Sequence, residues 1–187
     1  MSDIQASPFR GLGFLENLKN ITTFIFDIDG VLTDGTVIAT ETGELLRSFN
    51  IKDGYALQLA AKKGYGVCII SGGKGLAMSK RFASLGVADV FLGVHDKVEI
   101  FNNYIEQKGI SPNQVLYMGD DIPDADVMKL VGIPTCPADA VEEIKKIAHY
   151  ISPKNGGDTA VRDVIEKVLK VQNNWNGSSP SAAEASK

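Results

Sequence analysis

Five short apolar runs recur along the chain, each followed by a polar turn and a longer mixed segment. They lie near residues 23–28, 66–71, 88–92, 115–119 and 132–136. The first, around Thr23-Phe24-Ile25-Phe26, is β-branched and aromatic, which is typical of a buried parallel strand. Segments between the runs carry apolar residues at helical spacing, such as Met78, Phe82 and Leu85. This alternation predicts an α/β fold, a three-layer α/β/α Rossmann-like sandwich around a central parallel sheet.

One additional β-rich segment interrupts this alternation after the first strand. Thr36–Thr40 and Glu44–Asn50 are joined by Glu41-Thr42-Gly43, which is a reasonable turn. We therefore predict a β-hairpin that protrudes from the main sheet.

The chain divides into one domain with two flanking segments. At 187 residues and 44% hydrophobic content it can bury one full core. We assign residues 21–171 to the domain and 1–20 to an N-terminal extension. We expect residues 172–187, rich in Asn, Ser, Ala and Gly, to be disordered. The extension has apolar residues at spacings of three, which predict a helix: Phe9, Leu12, Leu15 and Leu18.

Two carboxylates directly follow the first strand. Asp27 and Asp29 share one face of an extended chain, and Gly30 then lets the backbone turn away. Because two acids at the end of a central strand repel each other, a bound cation or a shared proton is expected. Such a pair suits nucleophilic catalysis, in which one carboxylate attacks and the other moves a proton. A helix N-cap or Asx turn is the alternative interpretation.

Polar groups also follow two later strands. Ser71-Gly72-Gly73 could cradle a phosphate with its hydroxyl and backbone N–H groups, or could simply end a strand. Lys97 begins a predicted helix and could neutralise a phosphoryl group, although a single Lys there is commonly a solvated charge. His95 is expected near the edge of the same site.

A cluster of four acids follows the strand near residues 115–119. Its members are Asp120, Asp121, Asp124 and Asp126. Hard oxygen ligands at a strand end predict Mg²⁺, which uses few carboxylates and keeps several waters. The alternative for Asp124 and Asp126 is that they cap the following helix.

The ordered set DxDGVLTDG, strand-end Ser, Lys and GDDxxD resembles the haloacid dehalogenase superfamily of phosphotransferases, over residues from about 22 to 170. The resemblance implies that Asp27 is the nucleophile, forming an aspartyl phosphate, and that Asp29 is the general acid and base. It further implies that Ser71 binds the transferring phosphoryl group while Lys97 stabilises its charge. The implied cofactor is Mg²⁺, with these ligands: Asp27, the backbone carbonyl of Asp29, Asp120 and, close behind, Asp121.

Spacing between the motifs predicts that no cap domain is present. Between Asp27 and Ser71 there is room for one hairpin and one helix, and between Ser71 and Lys97 for a helix and a short strand. Neither interval holds a cap of the usual domain size, on the order of 50 residues. The site should therefore be open, with its walls completed by a large substrate or by neighbouring subunits.

Within the superfamily, the chain is similar to the 3-deoxy-D-manno-octulosonate 8-phosphate phosphatases, which are tetramers that make a lipopolysaccharide precursor. The matching patterns are DGVLTDG, FN-x-(basic)-DGY, R-x-x-x-LG and GDD. The resemblance implies a cytoplasmic homotetramer joined by its hairpins, with a sugar-acid phosphate as substrate. The implied substrate-binding residues are Thr33, Asn50, Lys52, Asp53, Gly54, Gly72, Lys74 and Arg81. For residues 50–55 the alternative is a loop and helix cap.

Several departures from that pattern bear on the substrate. Relatives usually carry Arg where this chain has Gly73, and often a basic residue where Gln58 stands. Lys74 cannot reproduce the planar fork of Arg from the next position. A nonulosonate 9-phosphate is therefore the alternative substrate. Gly156–Asp163 resembles a segment that reaches a neighbouring subunit's site, with Thr159 replacing a glycine.

Two other classes remain as alternatives. Similar domains attached to sugar-nucleotide synthetases serve as non-catalytic oligomerisation modules, but this chain keeps all four catalytic positions. A mutase, which passes the phosphoryl group to a sugar, generally needs a cap to exclude water.

Composition excludes other kinds of partner. The net charge of -4 argues against nucleic acid as the main partner. Cys68 and Cys136 are expected as small core residues without a disulfide, and two His are too few for a zinc site. No apolar stretch reaches membrane length, and no signal-peptide pattern is present.

Overall fold

The computed structural model describes residues 12–175, within which strands and helices alternate as the sequence predicts. In chain order they are α1 (Leu12–Asn20), β1 (Thr23–Phe26), β2 (Ile38–Ala39), β3 (Leu45–Leu46), α2 (Ile51–Lys62), β4 (Gly66–Ser71), α3 (Leu76–Ser84), β5 (Asp89–Leu92), α4 (Lys97–Lys108), β6 (Val115–Met118), α5 (Ala125–Met128), β7 (Ile133–Cys136), α6 (Glu142–Ile147), β8 (Tyr150–Ile151) and α7 (Ala160–Val171). Two 3-10 turns, Pro112–Gln114 and Ile122–Asp124, precede β6 and α5. None of these helices is long and apolar enough to cross a bilayer.

A six-stranded sheet forms the centre of the domain, in the order β5-β4-β1-β6-β7-β8. Every pair in it is parallel, which confirms the predicted parallel sheet. The sequence did not predict β8, because a two-residue strand carries no recognisable period. The chain builds the sheet outward from β1 to β4 and β5, and then crosses to the other side of β1 to form β6. The carboxyl ends of β1, β4 and β6 therefore flank the crevice where open α/β sheets bind ligands.

Alternate residues of the central strands enter two separate cores, which confirms the three layers. On β1, Phe24 and Phe26 join the core beneath α1, α2, α3 and α7. Ile25, between them, joins the core beneath α4, α5 and α6. Because both faces of the strand are covered, the run is continuously apolar instead of alternating. Cys68 and Cys136 lie unpaired and buried in the second core, as predicted.

The hairpin lies apart from the main sheet. Its ladder is shorter than predicted, pairing Ile38 with Leu46 and Ala39 with Leu45. Among residues 12–175 the apolar side chains of the hairpin stay exposed, so a longer ladder gains little from packing. Its apolar side chains are 42–65% exposed: Val37, Ile38, Leu45 and Leu46.

The two flanking segments are partly described. In α1, Leu18 is buried and Phe14 stacks on Tyr150 with ring centroids 5.4 Å apart. Residues 1–11, including Phe9 of the predicted helix, lie outside the described residues. The disordered tail was predicted from residue 172, yet Gln172 donates through Nε2 to the carbonyls of Leu18 (2.7 Å) and Ile21 (2.8 Å). Residues 172–175 therefore belong with the domain, because this amide satisfies carbonyls at the end of α1. Residues 176–187 lie outside the described part.

A turn before α7 supports the loop that follows β1. The backbone N–H of Gly157 donates to the carbonyl of Val31 at 3.0 Å, and the side chain of Asn50 donates to the carbonyl of Gly157 at 3.1 Å. A Cβ on Gly157, whose φ is +66°, would lie 2.7 Å from the backbone N of Asp34. The segment that resemblance assigned to a neighbouring subunit's site thus contacts the loop after β1 in its own chain. This loop is called the catalytic loop because it contains Asp27 and Asp29, which are predicted to be catalytic.

We predict that Gly157→Ala destabilises the protein more than Gly109→Ala. Both glycines have nearly the same φ, +66° and +65°, but only Gly157 is crowded. The shared φ strain costs roughly 1–2 kcal/mol, and crowding against the catalytic loop adds about 1–3 kcal/mol. Urea unfolding of both variants measures the difference. Equal losses would show that the turn is not tightly packed against the loop.

Candidate active site

Three adjacent strands end at one cleft. Asp27 follows β1, Ser71 ends β4, and Asp120 follows β6 by one glycine. The cleft has a volume of about 500 Å³. Its walls contain all four predicted catalytic residues together with three of the predicted binding residues: Asp27, Asp29, Ser71 and Lys97, with Gly72, Asp120 and Asp121. His95 also lines it, as expected.

Lys97 joins two of the carboxylates in this cleft. It is the first residue of α4, whose N-cap is Asp96, and only 7% of the residue is exposed. Its Nζ lies 3.0 Å from Oδ2 of Asp27 and 2.7 Å from Oδ1 of Asp124. Burial alone would lower the pKa of Lys97, but the two carboxylates outweigh it and raise the pKa above its ordinary value. The ammonium therefore stays charged.

Asp124 positions Lys97, which sequence reasoning had not foreseen. Its Oδ1 also accepts from the hydroxyl of Tyr117 at 2.6 Å, while Oδ2 accepts from the backbone N–H of Asp120 at 3.2 Å. These bonds occupy both oxygens of a carboxylate that is 1% exposed. The spacing in GDDxxD was the available signal, but it did not reveal that Asp124 contacts the Lys that begins α4.

Two buried oxygen atoms in the cleft lack a hydrogen-bond partner. They are Oδ1 of Asp27 and Oδ1 of Asp120. Asp27, Asp120 and Asp124 each offer a carboxylate oxygen within 4.8 Å of the others. A partnerless buried carboxylate oxygen is costly unless a cation binds it. The donor set, made of hard oxygens, fits Mg²⁺.

The pKa values of two acids in the cleft are raised by burial and by neighbouring carboxylates. Burial, and then the charge of Asp124, raise the pKa of Asp27 to about 6 despite its contact with Lys97. The same two causes, in the same order, raise the pKa of Asp120 to about 8. Gly30 permits this crowding, because a Cβ there would collide with Oδ2 of Asp120. Asp121 is exposed at the cleft and accepts from the backbone N–H of Ile122.

Asp29 has an unforeseen partner from the hairpin. Nε of Arg47 donates to Oδ1 of Asp29 at 2.6 Å, and Nη2 donates to Oδ2 at 3.0 Å. Arg47 follows β3, so the hairpin reaches back to the catalytic loop. From the sequence, Arg47 could be proposed only as one of several basic residues of a local anion site. Its contact with Asp29 was not foreseen, because a single Arg at the end of a short strand carries no motif.

Three predicted substrate-binding residues make hydrogen bonds within the single chain. Thr33 is fully buried, and its hydroxyl bonds within the catalytic loop to Ile28, Gly30 and Gly35. Asn50 is the N-cap of α2, in line with the alternative interpretation of this segment. Asp53 is 1% exposed and accepts from the first turn of α7, at Thr159 N (3.2 Å) and Arg162 N (2.7 Å). Asp53 is therefore unavailable to a substrate.

Four more of these residues lie outside the cleft of the single chain. Gly54 is buried against the guanidinium of Arg81, and the aliphatic part of Lys74 lies against Gly93. Lys52 is exposed in the first turn of α2. Any contact of these residues with a substrate would require a site shared between copies, which stays a prediction.

The fold and the site together define a haloacid dehalogenase-like hydrolase. The model of the family described in those words matches residues 82–165.

Comparison with individual proteins identifies the family within this superfamily. The 3-deoxy-D-manno-octulosonate 8-phosphate phosphatase KdsC of Salmonella typhi is 37% identical over 154 residues, which is 82% of each chain. That of Yersinia pestis is 33% identical over 163 residues, or 87% of each chain, and its crystal structure matches with a TM-score of 0.85. The Moraxella catarrhalis phosphatase, solved in complex with magnesium, phosphate and KDO, is 31% identical with a TM-score of 0.85, covering 88% of this chain and 95% of its own. The chain belongs to the family of 3-deoxy-D-manno-octulosonate 8-phosphate phosphatases.

We predict that metal-free protein loses stability as pH rises from about 4 to about 8. The folded protein holds a proton on Asp120 up to pH about 8, whereas the unfolded chain releases it near pH 4, at the ordinary pKa of about 3.9. The unfolded state therefore binds fewer protons in this range, and the free energy of unfolding falls with rising pH. Thermal unfolding in EDTA should give a flatter pH profile for Asp120→Asn.

Asp126→Asn is the matched control, because this acid of the same cluster has a side chain that is 80% exposed. Its profile should follow the wild type. Mg²⁺ should raise the Tm of the wild type at pH 8 and raise that of Asp120→Asn much less. A wild-type stability in EDTA that rose toward pH 8 would contradict the assignment.

Proposed function

We propose that this chain is a Mg²⁺-dependent phosphatase that releases phosphate from 3-deoxy-D-manno-octulosonate 8-phosphate through an aspartyl-phosphate intermediate. The observation that carries the proposal is the contact of Lys97 with Asp27, beside an acid cluster with two partnerless oxygens. A phosphoryl group entering this cleft would find a nucleophile and a neutralising charge together. Phosphoryl transfer depends mainly on such positioning and charge stabilisation.

The proposed first step joins Asp27 to the phosphorus. A carboxylate oxygen of Asp27 attacks in line while the bond from phosphorus to the sugar oxygen breaks, and Asp29 gives its proton to that oxygen. In the second step, the carboxylate of Asp29 takes a proton from a water molecule whose oxygen attacks the phosphorus. The bond to Asp27 then breaks, which returns Asp27 to its starting form and leaves free phosphate.

Other residues of the cleft bind the phosphoryl group. Ser71 is 1% exposed, and its hydroxyl accepts from the backbone N–H of Gly73 at 3.2 Å, which leaves the hydroxyl proton to donate to a phosphoryl oxygen. Lys97 spreads positive charge over the same group. Mg²⁺, when bound, neutralises charge between Asp27 and the phosphate so that two anions can meet. The residues that would hold it are Asp27, the backbone carbonyl of Asp29, and Asp120, with Asp121 nearby.

The substrate assignment rests on the family. The relatives named above carry octulosonate 8-phosphate in their names, and one is solved with KDO and magnesium. A nonulosonate 9-phosphate stays the alternative substrate, since Gly73 and Gln58 depart from the pattern described for relatives. The single cleft that brings together the four catalytic positions argues against a non-catalytic module.

We predict that Asp27→Asn abolishes turnover while the protein stays folded. The amide is close in size to the carboxylate, but it cannot form the phosphoenzyme. Phosphate release should be measured with Mg²⁺ and with EDTA across octulosonate 8-phosphate, nonulosonate 9-phosphates and hexose phosphates. Wild type should be metal-dependent and prefer one 2-keto acid by on the order of 100-fold, or about 2.7 kcal/mol. Asp126→Asn serves as the control variant.

If Asp27→Asn turned over as fast as the wild type, with deamidation excluded by mass spectrometry, the assignment of Asp27 as the nucleophile would be wrong. Uniformly slow turnover across the panel would contradict the substrate class. Transfer of the phosphoryl group to a second sugar, without free phosphate, would indicate a mutase.

We further propose a cytoplasmic homotetramer in which the hairpins join subunits. In a single chain the apolar side chains of the hairpin are exposed to water. Such an exposed apolar surface is typical of a protein–protein contact. Walls from neighbouring copies would also complete an open cleft. The two buried, unpaired cysteines are compatible with a reducing compartment.

Leu46→Asp should dissociate the assembly, because it places a charge in the apolar surface of the hairpin. Leu46 is 48% exposed, and Leu130, which is 42% exposed away from the hairpin, provides the control Leu130→Asp. Sedimentation velocity would give the mass of each variant. A monomeric wild type, or a tetramer unaffected by Leu46→Asp, would contradict the hairpin interface.

A further inference from the structure

The contact between Arg47 and Asp29 has the geometry of a two-point clamp. Nε and Nη2 lie on one edge of the guanidinium and meet the two carboxylate oxygens separately, at 2.6 and 3.0 Å. Nη1 donates to the carbonyl of Leu45 at 3.2 Å, which ties the same group to the hairpin backbone. The Arg47 side chain is only 6% exposed. A planar fork held at both ends fixes the orientation of its partner carboxylate better than a single ammonium would.

The clamp leaves Asp29 available to a substrate. Each carboxylate oxygen can accept at two lone-pair sites, so each keeps one after binding Arg47. The Asp29 side chain is 36% exposed, and the residue lines the cleft beside Ser71. In the first step one of these free positions can carry the proton that passes to the oxygen leaving the phosphorus. In the second step the same position can accept a proton from the attacking water.

Gly73 leaves space for this pair. A Cβ at that position would lie 3.2 Å from Oδ2 of Asp29, 3.3 Å from Nη2 of Arg47 and 3.4 Å from Oγ of Ser71. A longer side chain pointing in the same direction would displace the guanidinium. The pairing of Arg47 with Asp29 therefore fits a glycine at position 73.

We propose that Arg47 is a positioning residue that holds Asp29 in the orientation needed for proton transfer. The inference rests on the proposed function of Asp29 and adds a residue to it from outside the four motifs. Arg47 itself does not contact the reacting atoms. Its effect should therefore appear only in steps that need a proton from, or to, Asp29.

Substrates with different leaving groups isolate that effect. A sugar alkoxide is a poor leaving group and needs protonation as it departs, whereas 4-nitrophenolate leaves readily without it. The ratio kcat/KM covers the steps up to formation of the phosphoenzyme and excludes its later hydrolysis. Comparing kcat/KM for a sugar phosphate and for 4-nitrophenyl phosphate, on one protein sample, therefore measures general-acid assistance. Changes in folded or assembled fraction cancel in this comparison.

Arg47→Gln should lower kcat/KM for the sugar phosphate by about 10- to 100-fold, which is part of the 10²–10⁴-fold that general acid catalysis supplies. It should change kcat/KM for 4-nitrophenyl phosphate by less than about 3-fold, since that reaction does not need the proton. Arg47→Lys keeps the charge but offers one point of contact, so its sugar-to-aryl ratio should lie between those of Arg47→Gln and wild type. Lys108→Gln is the control. It removes an ion pair with Asp89, which lies at the start of β5, away from the cleft, so its sugar-to-aryl ratio should equal that of wild type.

Equal losses on both substrates would overturn the inference, because they would indicate a role in binding or folding alone. Unchanged values on both substrates, or full recovery by Arg47→Lys, would also overturn two-point positioning. The variant Asp29→Asn shows whether only the role of Arg47 is wrong or the proposed function as well. If Asp29→Asn selectively loses kcat/KM for the sugar phosphate and Arg47→Gln does not, only the role of Arg47 is wrong. If wild type hydrolyses neither substrate, the proposed function itself fails.

Discussion

The rest of the site depends on one buried ammonium group held between two carboxylates. Lys97 lies between Asp27 and Asp124, but a third acid, Asp120, offers an oxygen within 4.8 Å of theirs. One positive charge cannot balance three carboxylates away from water. Tyr117 and backbone N–H groups satisfy Asp124, while Asp27 and Asp120 each keep a partnerless oxygen. Negative charge therefore exceeds positive charge next to Asp27, and the carboxylate oxygens there fit a divalent cation.

The fold maintains this unfavourable charge cluster by surrounding it with rigid supports. Parallel strands bring Asp27, Ser71 and Asp120 to one edge of the sheet. The loop after Asp27 packs against the turn formed by Gly156 and Gly157. Asp53 fixes the position of that turn by accepting hydrogen bonds from the start of α7. Backbone groups make most of these contacts, so small residues are needed where the segments meet. Repulsion among the carboxylates at the site is thus offset by packing and hydrogen bonds outside it.

The hairpin links the open cleft to the outside of the domain. Its apolar side chains face solvent in the single chain, while Arg47 at its end reaches the catalytic loop. A capless domain has few walls of its own, so the same hairpin can serve assembly and orientation of Asp29. The basic residues assigned to substrate, Lys52, Lys74 and Arg81, lie outside the cleft of one copy, which is consistent with a site shared between copies.

The sequence alone predicted the parallel sheet except for β8, because strand periodicity is a local property. Strand-end chemistry is also local, and it predicted a group of polar residues that the structure does bring to one cleft: Asp27, Asp29, Ser71 and Lys97. The sequence could not determine that Asp124 holds Lys97, that Arg47 clamps Asp29 or that Asp53 caps α7. Asp53 and α7 are more than 100 residues apart, and nothing in the local pattern of either indicates the other. Only the tertiary structure decided these pairs, because side chains distant along the chain become partners only when packing brings their elements together.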